Sequence, residues 1–261
     1  MTNSHLELLK WYRDIGCNLC YEDESPVRIA ASESKQENII RHTDNRSIVA
    51  KIISRNPESS HPQSHIPLYA NFEDLQQAIR EFDGCALKKT AVNTVIYEGV
   101  LDAKVMLVGE APGATEDKEG RPFCGQSGKL LDNIIASIGL DRKINAFITN
   151  TVFWRPPGNR RPTSEEIDQC RPFLEQMIKF ISPILIILVG STAVESLLKL
   201  KSAMNSLRQQ SFSYNNQYMN DSDSNIDMEV IFHPSYLLRQ PFQKKEMWQD
   251  MMKIQQKYLI K

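Results

Sequence analysis

Short apolar runs alternate with longer amphipathic segments between residues 105 and 259, and this alternation limits the possible fold more than any other feature. The apolar runs are typical of buried strands and comprise Val105–Val108, Ala146–Val152, Ile184–Val189 and Glu229–Phe232. The segments that follow them have helical spacing and comprise Ser127–Ile138, Ser164–Ile181, Thr192–Leu200 and Lys244–Leu259. Strands that alternate with helices pair in parallel and are covered on both faces of their sheet. We therefore predict an α/β fold, a three-layer α/β/α domain around a central, mainly parallel sheet.

The chain divides into an N-terminal segment, a linker and one folded domain. Residues 1–30 are predicted to be helical, because apolar side chains recur there at amphipathic spacing: Leu6, Leu8, Leu9, Trp11 and Tyr12. Residues 31–66 are rich in polar side chains and poor in aromatic ones, which predicts a flexible polar linker. Residues 67–261 form the domain, and we expect Asn71 to cap its first helix. Within the domain, the polar segment Lys201–Met228 predicts a surface loop or an irregular hairpin.

Composition narrows the class of protein without identifying it. With 24% charged and 41% hydrophobic residues, the chain is globular and can bury one sizeable core. No apolar stretch approaches the ~20 residues that span a bilayer. The net charge of −1 means that any contact with nucleic acid must come from a local patch. The five cysteines are odd in number and do not suggest a disulfide framework, so we expect a reducing, cytoplasmic location.

Two polar motifs follow predicted strands that are far apart in the sequence. GEAPGATED (109–117) begins directly after Val105–Val108, and FHPS (232–235) follows a weaker strand signal at Glu229–Ile231. Open α/β sheets hold their sites where strands end in loops. The first motif combines a glycine-rich turn with acidic residues, and the second supplies an imidazole. We expect the two motifs to meet in one site.

Four ordered blocks of sequence resemble the type 4 family of uracil-DNA glycosylases. The blocks are GEAPGATED (109–117), GRPFCGQSGKLLD (120–132), ITNTVFWRPPGNRRPTSEE (148–166) and FHPSYLLRQP (232–241). The resemblance covers about Asn71 to the C-terminus, and ordered blocks are far more specific than one short motif. It implies a monomeric enzyme of base excision repair that hydrolyses the N-glycosidic bond of flipped-out deoxyuridine. Its partner is then uracil-containing DNA, and no membrane is involved.

The resemblance implies a catalytic role for three residues. His233 donates a hydrogen bond to the uracil O2 as charge builds there, Glu110 orients water or balances the sugar cation, and Glu116 belongs to the same acidic loop. Ala111 stands where better-known uracil glycosylases carry an Asp base, so electrostatic stabilisation takes the larger share. The residues alone leave alternatives open. His233 can instead cap or bridge a loop, and Glu116 and Asp117 can support the loop or cap a helix.

The same resemblance implies a uracil pocket. Phe123 stacks on the base, and the Asn150 amide pairs with the O4 and N3–H edge of uracil. Gly109, Ala111 and Gly113 complete the uracil-binding set. The alternatives are core packing for Phe123 and a turn position for Asn150. Gly113 stands where stricter enzymes place a Tyr that excludes thymine, which leaves hypoxanthine or xanthine as an alternative substrate.

DNA contacts are predicted in two segments. Arg155, Arg160 and Arg161 share one stiff loop and are expected to contact phosphates, with a solvated surface as the alternative. A second segment resembles a loop that wedges into the minor groove, and it contains Ser235, Leu237, Leu238 and Arg239.

The chain departs from the family at the positions of an iron–sulfur cluster. Type 4 relatives carry four cysteine ligands, and the corresponding positions here are Phe82, Cys85, Trp154 and Cys170. Since two ligands are replaced by aromatic side chains, we expect no metal and no cofactor. If a cluster formed with the additional pair at 17 and 20, Cys85 and Cys170 would be ligands.

A different class of function also fits the chain. A non-catalytic DNA-binding module can keep the fold after losing the cluster, although the retained Glu110, Phe123, Asn150 and His233 favour an enzyme. The apolar face of the N-terminal helix is expected to pack on the domain or on a protein partner.

Overall fold

The strands form one sheet whose centre is parallel. The computed structural model describes residues 51–52, 66–219 and 225–260. Its strands are β1 (Lys51–Ile52), β2 (Tyr97–Gly99), β3 (Val105–Gly109), β4 (Ala146–Asn150), β5 (Leu185–Val189), β6 (Phe212–Tyr214) and β7 (Ile226–Ile231). Within the described ranges they pair as a 7-stranded sheet in the order β1-β6-β7-β5-β3-β4-β2. β3 is parallel to β4 and β5, and β5 is parallel to β7. β2 and β6 run antiparallel to their neighbours β4 and β7.

Helices connect the strands and cover the sheet. They are α1 (Phe72–Glu81), α2 (Ala114–Glu119), α3 (Gln126–Ala136), α4 (Ser164–Ile181), α5 (Ser191–Leu198), α6 (Met204–Leu207), α7 (Pro234–Arg239) and α8 (Lys244–Ile254). Single 3₁₀ turns lie at Ala86–Lys89, Pro157–Asn159 and Pro241–Gln243, and a π turn follows α8 at Gln255–Leu259. In the part of the chain that the structure describes, no helix is long and apolar enough to cross a membrane.

Alternate residues of the central strands enter two separate cores. Met106 and Val108 of β3 pack with α1, α4 and α5, whereas Val105 and Leu107 pack with α3, α7 and α8. All residues of β3, β4 and β5 are buried, as expected for strands that are covered on both faces. The predicted three-layer α/β/α fold is therefore confirmed.

Two helix starts are fixed by side chains that the sequence makes recognisable. Asn71 caps α1, because its Oδ1 accepts from the Asp74 N–H at 2.8 Å, as predicted. Thr163 and Glu166 form a reciprocal capping box at α4, with distances of 3.2 Å and 2.8 Å. This box ends the arginine-rich loop and starts α4 at Ser164.

The largest differences from the predicted elements lie at the sheet edges. Strand β2 was not predicted, because three half-buried residues carry no recognisable periodicity. The segment Lys201–Met228 contains α6 and β6, and β6 forms an antiparallel hairpin with β7, so the hairpin alternative was the correct one. β4 ends at Asn150 rather than Val152, and β7 begins at Ile226 rather than Glu229.

The predicted linker contributes one short strand. β1 pairs in parallel with β6, placing Lys51 beside Phe212 and Ile52 beside Ser213. The predicted N-terminal helix, residues 1–30, and the other linker residues up to 65 lie outside the described residues. Ile66 packs against the core, and the Pro67 carbonyl accepts from Gln176 Nε2 at 2.9 Å. Apart from the β1–β6 pairing, the described contacts of the domain thus begin at Ile66.

We expect a chain that starts at Ile66 to fold like the full-length protein. Among the described contacts it loses the β1–β6 pairing, whose few backbone hydrogen bonds contribute about 1 kcal/mol each. Urea unfolding of both chains, monitored by circular dichroism, measures the difference in their free energies of unfolding. A loss of cooperative unfolding in the shorter chain would show that the domain boundary is wrong.

Candidate active site

The two polar motifs meet at the carboxyl edge of the parallel strands. Gly109 ends β3 and lies directly opposite Asn150, the last residue of β4. His233 follows β7 by two residues, and the Phe123 ring centroid lies 5.8 Å from that of His233. The structure therefore brings residues 109–117 and 232–235 together, as predicted.

His233 is held with its Nε2 free to donate. Its Nδ1 accepts from the Ser235 backbone N–H at 3.2 Å, and the Ser235 hydroxyl lies 2.8 Å from the same nitrogen. An Nδ1 that accepts carries no proton, so the neutral ring carries its proton on Nε2. Burial lowers the pKa of His233, and the negative charge of Glu110 opposes that shift only in part. The predicted capping alternative is also correct, because His233 is the N-cap of α7.

Gly109 allows an aromatic ring and an amide to meet where a side chain would otherwise stand. A Cβ at this position would lie 2.4 Å from Phe123 Cζ and 2.5 Å from Asn150 Oδ1. Asn150 is 1% exposed, and its Oδ1 has no hydrogen-bond partner among the described residues. Buried acceptors are normally satisfied, so an unpaired one beside a ring indicates a site for a planar polar ligand.

Arg142 fixes the backbone that presents Phe123. Phe123 has a φ of +49°, a left-handed conformation that costs about 1–3 kcal/mol in a non-glycine residue. The Arg142 guanidinium donates to the carbonyls of Pro122 and Phe123, both at 2.9 Å. It is held in turn by Asp132 at 2.6 Å and Glu98 at 2.7 Å. The sequence analysis missed Arg142, because these partners are distant in the sequence and the only local signal is an unremarkable Asp-Arg pair.

Glu110 is anchored at both its backbone and its carboxylate. Its carbonyl accepts from the Thr151 hydroxyl, and its Oε2 accepts from the Thr192 hydroxyl. Thr192 lies in the first turn of α5 and is fully buried. The sequence analysis also missed Thr192, since a single Thr at a helix start looks like a structural residue.

Glu116 supports the loop in the structure. One carboxylate oxygen accepts from the N–H groups of Cys124 and Gly125 at 3.1 Å and 2.8 Å, and the other accepts from Gly113 at 3.1 Å. Asp117 accepts similarly from the backbone at residues 92 and 93. The loop-supporting alternative fits Glu116 better than the predicted catalytic role, because backbone donors occupy both of its oxygens.

The remaining predicted pocket residues lie in the same loop. Ala111 is partly buried and packs against the core, on the side of the sheet that faces α4 and α5. Gly113 is the N-cap of α2, and a Cβ there would meet Glu116 Oε2 at 2.7 Å.

The arginine loop is paired more extensively than the sequence predicted. Arg160 forms two hydrogen bonds with Glu166, at 2.9 Å and 2.6 Å, and Arg161 bonds Thr192 and Glu195. Arg155 donates to Asn159 Oδ1 at 2.7 Å and has no carboxylate partner among the described residues. Two of the three arginines that were predicted to contact phosphates are therefore already paired with carboxylates of the same chain.

The prediction that Leu237 contacts DNA is wrong. It is 0% exposed and packs in the core between α3 and α8, so it cannot reach DNA in this conformation. The neighbouring Leu238 is 37% exposed, and Arg239 is exposed as well. Ser235 bonds His233 as described above. Phe242, which the sequence analysis missed, is 91% exposed in the 3₁₀ turn after α7.

Aromatic side chains pack together at the positions that correspond to cluster ligands. The rings of Phe82 and Trp154 stack with centroids 6.3 Å apart, and Cys85 and Cys170 are fully buried beside them in the same core. Burial raises the pKa of the Cys170 thiol, whereas the hydrogen bond with Cys170 lowers the pKa of Cys85. Residues 51–52, 66–219 and 225–260 contain no group of three or more His, Cys, Asp or Glu side chains that could hold a metal ion. The residues present at this position do not fit a four-cysteine cluster; the pair at 17 and 20 lies outside the described residues.

Comparison with known proteins gives consistent matches over the domain. The model of the uracil DNA glycosylase superfamily matches residues 96–252. A type-4 uracil-DNA glycosylase of Pyrobaculum aerophilum is 35% identical over 183 residues, which cover 69% of this chain and 91% of the relative. The type-4 uracil-DNA glycosylase of Sulfurisphaera tokodaii is 35% identical over 191 residues, covering 71% and 84%. That of Thermotoga maritima is 37% identical over 169 residues, covering 64% and 83%.

We expect His233 to titrate below its ordinary pKa of 6.5 and to carry its neutral proton on Nε2. A chain starting at Ile66 contains no other histidine, so its imidazole nitrogen resonances can be followed against pH by NMR without ambiguity. Replacing Ser235 by Ala removes a donor to Nδ1 of the neutral ring and should raise the pKa. A pKa above 6.5 in the unsubstituted chain, or a proton on Nδ1, would contradict this geometry.

Proposed function

Since the chain belongs to the type 4 family of uracil-DNA glycosylases, we propose that it hydrolyses the N-glycosidic bond of flipped-out deoxyuridine in DNA. The observation that carries the proposal is the unpaired Asn150 Oδ1, buried beside the Phe123 ring, whose centroid lies 5.8 Å from that of His233. These groups offer what uracil requires: a stacking face, an amide edge and a donor for the departing base.

Recognition of uracil rests on the Asn150 amide. The amide presents one acceptor and two donors, which match the N3–H and O4 of uracil. Cytosine has an acceptor at N3 and an amino group at C4, so the same amide orientation would face two mismatches. Phe123 adds stacking, worth about 1–3 kcal/mol per base, which any base can supply. Selectivity therefore comes from Asn150 and affinity from both residues.

Catalysis requires stabilisation of charge on both sides of the breaking bond. The His233 Nε2–H stabilises the negative charge that builds on O2, and Glu110 stabilises the sugar cation and orients the water that attacks it. With Ala at position 111, no second carboxylate stands next to Glu110. Preorganised dipoles and charges then provide most of the rate enhancement. Glu116 contributes indirectly, by supporting the loop that carries Glu110.

DNA binding is assigned to the surface beside the pocket. Leu238 and Phe242 are exposed apolar side chains that can fill the stack which the flipped base leaves. Arg155 and Arg239 supply positive charge for phosphates, and Arg239 is close enough to His233 to lower its pKa.

The enzyme works without an iron–sulfur cluster, as a monomer in the cytoplasm. The Phe82–Trp154 stack supports the first part of this assignment, because it replaces ligands with packed side chains. The free thiols at positions 85, 124 and 170 support a reducing location. The N-terminal segment, residues 1–30, is assigned to packing on the domain or on a protein partner.

We expect His233→Ala to lower uracil excision about 10²–10³-fold while DNA affinity stays nearly unchanged, because the lost donor acts mainly in the transition state. The measurement is a single-turnover rate at saturating enzyme, with DNA affinity measured in parallel. Arg155→Ala is the contrasting variant: it should weaken DNA binding and reduce the salt slope by about 1, with the saturating rate preserved.

Substrates carrying uracil, hypoxanthine or xanthine separate the candidate functions. Excision of uracil supports the proposal, and excision of only the other two bases supports the alternative substrate. DNA binding without excision of any base would indicate a non-catalytic module. An unchanged uracil rate in His233→Ala would refute the assignment of His233.

The purified protein is expected to contain no stoichiometric iron or sulfide, even after anaerobic purification. The reason is that two of the four ligand positions are the stacked Phe82 and Trp154. Colorimetric iron and sulfide analysis provides the measurement. Four irons per chain would contradict the prediction and point to the cysteines at positions 17 and 20 as ligands.

A further inference from the structure

The Glu110 carboxylate is held on one side only. Its Oε2 accepts the Thr192 hydroxyl, whereas its Oε1 accepts no hydrogen bond from the described residues. A carboxylate with one fixed oxygen has a defined plane, and its second oxygen is available to a ligand. Thr192 is separated from Glu110 by 82 residues in the sequence, so this orientation depends on the tertiary fold.

Arg161 determines which way the Thr192 proton points. The Arg161 Nε–H donates to Thr192 Oγ1 at 2.9 Å, which occupies the hydroxyl as an acceptor. A threonine hydroxyl has one proton, and that proton is then directed at Glu110. Because a donor that is itself polarised by a cation bonds more strongly, Arg161 also strengthens the Thr192–Glu110 bond.

Arg161 is fixed from its outer side. Its second terminal nitrogen donates to Glu195 Oε2 at 2.8 Å, and Lys201 contacts the other oxygen of Glu195 at 3.0 Å. The side chain is 50% exposed, yet its guanidinium is oriented by two partners on α5, Thr192 and Glu195. The sequence predicted a phosphate contact here, and in the structure the guanidinium bonds Thr192 and Glu195.

We propose that Thr192 and Arg161 are positioning residues for Glu110: Arg161 orients the Thr192 hydroxyl, which fixes one carboxylate oxygen and directs the other at the reacting sugar. This inference rests on the proposed function and adds two residues that do not touch the substrate.

Thr192→Val tests the inference by removing the donor at nearly constant volume. We expect the single-turnover excision rate at saturating enzyme to fall about tenfold, the lower range for a hydrogen bond to a charged group, with DNA affinity unchanged. Thr192→Ser keeps the hydroxyl and should restore most of the rate.

Arg161→Gln should resemble Thr192→Val, and the double variant should be no slower than Thr192→Val alone, because both changes remove one coupled interaction. The matched controls are Thr149→Val, which removes another fully buried hydroxyl that bonds only a backbone carbonyl, and Arg171→Gln, which breaks an ion pair within α4. Both controls should keep the rate of the unsubstituted protein.

Two results would overturn the inference. One is a Thr192→Val protein with an unchanged rate. The other is an Arg161→Gln protein that loses DNA affinity but keeps its saturating rate. That result would support the predicted phosphate contact of Arg161 instead. Either result leaves the proposed function intact as long as the unsubstituted protein excises uracil, whereas absence of that activity would refute the proposed function itself.

Discussion

The site depends on one close approach, the contact of Phe123 and Asn150 over the bare Cα of Gly109. Parallel pairing of β3 and β4 brings Gly109 opposite Asn150, and a glycine there leaves room for the ring and the amide oxygen. Any Cβ would meet both at less than van der Waals distance. The His233 ring lies close to the same Phe123 ring, with centroids 5.8 Å apart, and the proposed selectivity for a flat polar ring rests on this arrangement.

Two further charged side chains hold the loops around this contact. Arg142 holds the strained backbone of Phe123, and Glu116 ties the loop of residues 109–117 to the start of α3. Both side chains fix loop geometry through hydrogen bonds to the backbone, whereas the role of Glu110 on the ligand is part of the proposed function. A preorganised site of this kind needs little movement of the protein during the reaction.

The sequence predicted the layers, the strand ends and the residues that meet there, because alternating periodicity and strand-exit motifs are local signals. It failed where the outcome depends on partners that are distant in the chain. Leu237 was expected to contact DNA, but the register of α7 turns it into the core while Leu238 faces outward. For Arg161 the sequence predicted a phosphate contact, which stays a prediction, and gave no sign that α5 places Thr192 and Glu195 beside it. The short edge strand β2 was missed because three residues have no measurable period.

The most direct test of this account is the single-turnover rate of uracil excision by Gly109→Ala, compared with Gly139→Ala. A Cβ at Gly139 meets nothing within 4 Å, although that residue has a φ of +83°, so this variant controls for strain without entering the site. The account predicts that Gly109→Ala loses at least about 10²-fold in rate, since displacing Phe123 and Asn150 removes preorganised contacts. It also predicts that Gly139→Ala keeps its rate in spite of lower stability. A Gly109→Ala protein that excises uracil at the normal rate would contradict the account, because the pocket would then not be formed by these three residues.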